Sequence, residues 1–252
     1  MNPVISNKLI SINEILRGAW RVYSDKFLVL VGIAVVPHLL FFFAEIAIGP
    51  GSPLGDFAGV LFSAAGIAFS IASAVALVLV VSRGGDVISA YRDSTPYILS
   101  YFWLSVLGGL IVFGGFVMLF APALIFTVWF IFGVFILVLE NKKGFYALLA
   151  SKEYVRGYWL PVFWRFAFLF AIFSALSYFF TLIPSSSIFN ALFGTMLSPF
   201  AVAYLFMIYK NLKELKPVSG ETVISKSTRN LFIFSGALGA VAILAFVFSE
   251  FL

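Results

Sequence analysis

The chain has 252 residues, 62% of them hydrophobic and 11% charged, with a mean hydropathy of +1.09. Soluble domains carry about 45–50% apolar and about 25% charged residues, so this composition excludes one. Cysteine is absent and His38 is the single histidine, which removes structural disulfides, thiolate metal sites and most His-based metal or triad constellations; no cofactor is expected.

Residues 1–26 carry Lys8, Glu14, Arg17, Arg21, Asp25 and Lys26 with no apolar run before Phe27. That pattern is not a cleavable signal peptide, so the first span is expected to act as its own insertion signal. Residues 9–23 read as an interfacial amphipathic helix. Ser11 and Glu14 have capping-box spacing, and Ile12, Ile15, Leu16, Ala19, Trp20 and Tyr23 share one stripe opposite Asn13, Glu14, Arg17 and Arg21.

Seven apolar runs follow, each near the ~20 residues a bilayer crossing needs. Span one is predicted at 27–48, then turn chemistry from Gly49 to Asp56, then span two at 57–82. A short polar connection at 84–95 leads to span three at 97–120 and span four at 124–139, separated by a hairpin at Ala121-Pro122-Ala123. Phe145 to Trp159 reads as a second surface helix, with Phe145, Leu148, Leu149, Val155 and Trp159 on one face and Ser151, Glu153 and Arg156 on the other. Spans five, six and seven are predicted at 161–183, 189–209 and 231–252, with a polar linker at 210–230. The whole chain, 1–252, is thus read as a single all-α integral membrane domain.

The net charge of +5 comes from 16 Lys and Arg against 11 Asp and Glu. The basic residues fall in the N-terminal segment and in the connections after spans two, four and six, with Arg165 just inside the same end of span five. The loops at 49–56, 121–123 and 184–188 hold none. By the positive-inside rule the N-terminus is expected in the cytoplasm and, with seven spans, the C-terminus outside a cytoplasmic (inner) membrane. Anionic lipid headgroups, not nucleic acid, are then the expected partners, contacted by Arg17, Arg21, Lys142, Lys143, Lys152 and Arg156. Small residues let helices approach closely. Ala64, Ala68, Ala72 and Ala76 recur every four residues in span two, and Ser235/Gly239 and Gly236/Ala240 pair up in span seven, to dock it on the bundle or on another subunit.

Ionisable residues at membrane depth are costly and are candidates for function. His38 directly follows Pro37, with Glu45 seven residues on. The pair reads either as part of a relay or as structural, His38 taking the carbonyl of Ile33 that Pro37 leaves unpaired. Arg165 is expected to snorkel to the interface or to hold a lipid phosphate. Ser198 and Tyr204, with Tyr178, Thr181 and Thr195, give spans five and six a modest polar content, and Pro199 is expected to bend span six. No specific catalytic signature appears. Residues 231–252 hold no lysine for a retinal, no Gly-x-Ser-x-Gly elbow or phosphate-binding loop occurs, and Gly84-Gly85-Asp86 lacks the spacing of an intramembrane aspartyl protease.

Two segments resemble a known family. Glu140, Gly144, Ala147-Leu148, Ser151 and Val155-Arg156-Gly157 are similar to an acidic residue followed by an A-L-x-x-S-x-x-L-v-k-G helix. Pro199 with Tyr209-Lys210-Asn211-Leu212-Lys213 is similar to a closing proline and Y-x-D/N-L-R end. The family is the polytopic membrane proteins related to the membrane domain of some glycerophosphodiester phosphodiesterases, most of them bacterial or archaeal and without known function. The Ile12-x-x-Ile15-Leu16-x-x-Ala19-Trp20 opening and Pro122 also fit, so the resemblance covers 9–214 and leaves span seven as an addition to a six-helix core. It implies a helical membrane bundle; the hydrolytic domain is missing and its activity does not carry over.

The expected function is that of a non-enzymatic integral membrane protein associating with lipids or a membrane-protein partner, including a second copy, in membrane homeostasis. The alternatives are a transporter or flippase of an amphiphile, with a cavity reaching His38, Arg165 or Ser198, and an intramembrane enzyme.

Overall fold

The computed structural model describes residues 9–48, 53–181, 186–216 and 226–249. Lys8, residues 49–52 and 184–185 of the loops without basic residues, the middle of the 210–230 linker and the last three residues lie outside the described residues. Among the described residues every regular element is a helix. Among the same residues, seven helical stretches are long and apolar enough to cross a membrane: Phe27–Ala47, Leu54–Arg83, Val87–Met118, Phe120–Glu140, Trp159–Phe179, Phe193–Leu215 and Ser227–Ser249. The chain is an all-α, multi-pass integral membrane protein, and its residues cluster into two compact units.

One unit comprises Ile10–Ile98 and Trp164–Ile208. It opens with α1 (Ile12–Asp25), whose capping box is formed as expected: the Glu14 amide donates to Ser11 Oγ at 3.3 Å and the Ser11 amide to Glu14 Oε2 at 2.8 Å. Helix α2 (Phe27–Ala47) and α3 (Pro53–Arg83) pack antiparallel, Phe41 against Gly66 and Ala44 against Gly59. Helix α3 begins four residues before the expected start, because Pro53 suits a first turn whose amides have no helical partner. The alanine stripe divides: Ala72 and Ala76 are buried, whereas Ala64 and Ala68 are exposed. The face of α3 that meets α2 is Gly59, Gly66 and Ser73, seven residues apart, where the missing side chains admit the ring of Phe41.

The connection at 84–95 is mostly helical rather than irregular. Gly84 and Gly85 reverse the chain at φ +86° and +117°, conformations that favour glycine. Asp86 then caps α4 (Val87–Ser94) by accepting from the Ile88 and Ser89 amides. Its carboxyl is held below the ordinary range by the Ser89 hydroxyl and those amides. Residues 164–208 of α9 (Trp159–Thr181) and α10 (Ser186–Leu215) complete this unit.

The other unit comprises Leu99–Phe163 and Tyr209–Leu252 with the N-terminal nine residues. Helix α5 (Ile98–Met118) turns into α6 (Phe120–Phe130) through Leu119 alone, which is extended at φ −177° and ψ 158°. The reversal therefore falls before Ala121-Pro122-Ala123, and Pro122 sits in the first turn of α6 where a missing amide costs nothing. Span four is broken at Ile131–Phe132 into α6 and α7 (Gly133–Glu140).

Helix α8 (Phe145–Val155) packs along both α6 and α7. It is not the two-faced surface helix expected: Ala147, Leu148, Leu149, Ala150, Ser151, Tyr154 and Val155 are all buried, so the apolar face and Ser151 of the polar one are enclosed while Arg156 stays exposed. Ser151, expected on the polar face, accepts the Phe132 amide at 3.2 Å, supplying the partner the helix break removes. Trp159 opens α9 instead of closing α8.

The 210–230 linker is helical at both ends, since α10 runs on to Leu215 and α11 (Lys226–Ser249) starts five residues before the expected span. Asn211 and Leu212 are buried, which keeps α10 helical past Tyr209. Helix α11 docks on α5. Ser235 Oγ donates to the Ile111 carbonyl at 2.8 Å, and Gly239 lies on the Leu110 carbonyl. Gly114 faces the Ser235 carbonyl so closely that no side chain fits, and Gly236 meets Ile111 in ordinary contact.

Candidate functional site

The densest polar cluster is built on Glu140, the last residue of α7. Asn141, left-handed at φ 54°, ends that helix, and Gly144 at φ +52° turns the chain into α8, so Tyr154 near the far end of α8 comes back to Glu140. Tyr209 and Lys213, one turn apart on α10, reach the same carboxylate. Oε1 accepts from the Tyr154 and Tyr209 hydroxyls, each at 2.7 Å, and pairs with Lys213 Nζ at 3.2 Å; Oε2 pairs with Lys142 Nζ at 3.3 Å.

The Glu140 side chain is 10% exposed and both tyrosines are buried. Burial, and then donation to Glu140, push the Tyr154 hydroxyl well above its ordinary value. The carboxylate thus ties α7, α8 and α10 together with charge-assisted bonds, which are about twice as strong as neutral ones. Its oxygens are occupied by groups of the fold. The arrangement is that of a tie between helices. Glu140, Tyr209 and Lys213 are residues on which the family resemblance rests, and folding brings them to one point.

A second cluster surrounds Lys152 on α8. Its Nζ donates to Thr228 Oγ1 of α11 at 2.7 Å and lies 4.7 Å from the centre of the Trp129 ring and 5.6 Å from that of Phe232. Burial lowers the pKa of the amine. Phe232, buried, also packs on Phe126, Phe130 and Phe145. Lys152 is therefore engaged within the unit. Of the other expected headgroup contacts here, Lys142 pairs with Glu140, Arg156 pairs with Glu153 at 3.4 Å while remaining exposed, and Lys143 is exposed. Lys216 Nζ closes the end of α8 by donating to the carbonyls of Glu153 and Arg156.

In the other unit, the carbonyl that Pro37 frees does not go to His38. Ile33 O accepts from Tyr91 of α4 at 2.8 Å and from Ser73 of α3 at 3.3 Å, and the two hydroxyls lie 2.6 Å apart. Ile33 is buried on the α3 side of α2, whereas His38 lies on the exposed side and bonds through Nδ1 to Ala34 O at 2.8 Å. Glu45 is also exposed.

Arg165 reaches the chain entering α1: Nη2 donates to the Ile10 carbonyl at 2.7 Å. Tyr204, fully buried, donates to the Arg165 carbonyl at 3.1 Å. Ser198 lies 3.5 Å from the Thr195 carbonyl beside Pro199. On α1 the buried stripe is Ile15, Ala19 and Tyr23, with Gly18 against Met207 and the Tyr23 hydroxyl donating to Met196 O at 3.0 Å. Trp20, expected on that stripe, is 61% exposed, and Arg17 and Arg21 are exposed beside it.

Among the described residues no three His, Asp or Glu side chains gather as a metal would require. The sequence reading missed the roles of Glu140, Tyr154, Tyr91 and Asp86. Only the last two carried a local signal: Asp86 and Ser89 have capping-box spacing, and Pro37 announces an orphan carbonyl. Comparison with protein-family models, with curated proteins and with solved structures finds no match.

Proposed function

We propose that the protein is a non-enzymatic membrane protein whose cytoplasmic face associates with anionic lipid headgroups through α1, in the upkeep of the membrane. The observation that carries this reading is the division of α1. Ile15, Ala19 and Tyr23 hold it to its own unit, while Arg17, Trp20 and Arg21 are left on the outer side. An exposed tryptophan flanked by two arginines suits the headgroup layer, where the indole sits at the interface and each cation near an anionic surface contributes about 1 kcal/mol.

Further support comes from Glu140, Lys152 and Arg165, each of which holds helices or chain segments of its own unit. The transporter reading draws no support from His38, Arg165 or Ser198, each of which bonds to a carbonyl of its own unit. Membership of the family related to the glycerophosphodiesterase membrane domain is part of this proposal. It rests on the motif residues that converge at Glu140.

The test is native mass spectrometry of the purified protein with its retained lipids. Enrichment of anionic over zwitterionic lipid is expected, and Arg17→Ala with Arg21→Ala reduces it about thirtyfold at low salt, from about 1 kcal/mol lost per charge. Retention that ignores both headgroup charge and these substitutions refutes the reading.

A further inference from the structure

The break in span four leaves a cavity of about 180 Å³ between α5, the α6–α7 junction and α8. A cavity of about 150 Å³ lined by aliphatic and aromatic side chains accepts benzene, so this one has room for roughly a six-carbon group. Two glycines, Gly108 and Gly133, line it. A Cβ on Gly108 would stand 3.6 Å from Leu148, and one on Gly133 would stand 3.4 Å from Leu104 and 3.7 Å from Leu148, all ordinary contacts. Neither glycine has a positive φ.

Neither close approach nor backbone conformation therefore demands glycine, although glycine in a helix interior such as that at 108 costs about 1 kcal/mol relative to alanine. What the two positions share is the space. The helix break beside them is also maintained at a cost, since the Phe132 amide has left the ladder and needs Ser151 to satisfy it.

The walls set the chemistry of an occupant. Tyr101 and Ser105, one turn apart on α5, bring two hydroxyls. Leu104, Phe130, Ile131, Val134 and Leu148 are apolar, and no carboxylate, lysine, arginine or histidine lines the space. A charged group would find no counter-ion there, whereas the two hydroxyls, which bond to each other, still offer one proton and their oxygen lone pairs to a further oxygen. Ser105 is exposed and stands at the rim.

We propose that this cavity binds the oxygen-bearing end of an uncharged amphiphile, its hydroxyl or ester carbonyl on Tyr101 and Ser105 and its hydrocarbon against Ile131, Val134 and Leu148. The site is independent of the headgroup contacts of α1, so either can fail without the other.

The test uses the full chain in phosphatidylcholine nanodiscs, photolabelled with a diazirine-bearing octanol and mapped by peptide mass spectrometry. Saturable labelling of the 130–134 or 148 region is expected, competed by 1-octanol and not by octane. Ser105→Phe, at an exposed position where an apolar side chain does not threaten folding, closes the rim and abolishes it, while labelling of outward-facing residues on α11 persists. Ser105→Ala leaves the space open but weakens 1-octanol competition about five- to tenfold, the loss of one hydrogen bond.

A diazirine in the acyl chain of phosphatidylcholine separates the sources: labelling of the same peptides, lost on adding 1-octanol, assigns the ester region of a lipid as occupant. Labelling by the octanol alone assigns a free alcohol. Non-saturable labelling, equal competition by octane, or indifference to both Ser105 variants overturns the proposal.

Discussion

Tyr154 shows how one hydroxyl couples charge, burial and pH. Its bond to Glu140 is charge-assisted, so Tyr154→Phe is expected to cost about 1.5–3 kcal/mol, measured as unfolding in detergent at pH 8. Because burial and Glu140 raise its folded pKa above the ordinary 10, the folded state holds the phenol proton more tightly than the unfolded one. That stabilisation is complete below about pH 10 and is lost as the pH climbs beyond it. Lys152 works in the opposite sense. Its folded pKa is lowered by burial, so the cost of keeping it charged is relieved as the pH rises toward its unfolded value. The two effects oppose each other in the wild type, and the difference between wild type and Tyr154→Phe isolates the first. That difference should shrink between pH 9 and 11; a difference that stays constant or grows contradicts the tie at Glu140. None of this was legible residue by residue. Glu140 reads as the polar end of an apolar span, and only the left-handed turn at Asn141 and Gly144 brings Tyr154 back to it.

At the scale of elements, the tightest crossing is that of α5 and α11. Gly114 presses on the Ser235 carbonyl and Gly239 on that of Leu110, so any side chain at 114 must separate the helices. Gly114→Leu is expected to release α11, and a cysteine pair reports it, since the chain has no cysteine of its own. Ile111→Cys with Gly236→Cys, neighbours in the structure, should oxidise to a disulfide in the otherwise wild-type chain and fail to do so when Gly114→Leu is added; cross-linking in both refutes the crossing. The Ser235/Gly239 spacing made this helix face visible in the sequence, but its partner α5 was not, because small-residue spacing specifies a surface and not what covers it. The same holds for α3, where the alanines of the four-residue repeat divide between buried and exposed while Gly59, Gly66 and Ser73 meet α2. Span positions were legible because hydropathy marks them. Their ends moved wherever proline opened a helix, as at Pro53 and Pro122, or where burial extended one, as at Asn211 and Leu212. The buried α8 was misread because its polar residues, Ser151 and Lys152, are answered by the Phe132 amide and by Thr228, partners that periodicity does not reveal.

At the scale of the whole molecule, the distribution of charge carries a topology that hydropathy alone does not. Arg17, Arg21, Arg83, Arg92, Lys142, Lys143, Arg156, Lys213 and Lys216 all lie toward the ends of spans that share one side if the seven stretches alternate. The opposite turn between α5 and α6 is Leu119, with no basic residue near it. Loop lysines and arginines resist translocation, so the basic side is expected in the cytoplasm. An odd number of crossings then puts the C-terminus on the other side. A cysteine-free chain allows a direct measurement. Arg21→Cys and Lys143→Cys, both at exposed positions, should react with a membrane-impermeant maleimide only after permeabilisation, and Leu119→Cys in intact cells. A reporter placed after Leu252 should give its signal outside the cytoplasm. The full inverse of the labelling pattern would overturn the orientation and remove Arg17 and Arg21 from the anionic leaflet, whereas correct labelling with a cytoplasmic C-terminal reporter would leave α1 in place and reduce the crossings to six. The two results bear on different parts of the molecule, because α1 depends on the first crossing and the reporter on the last.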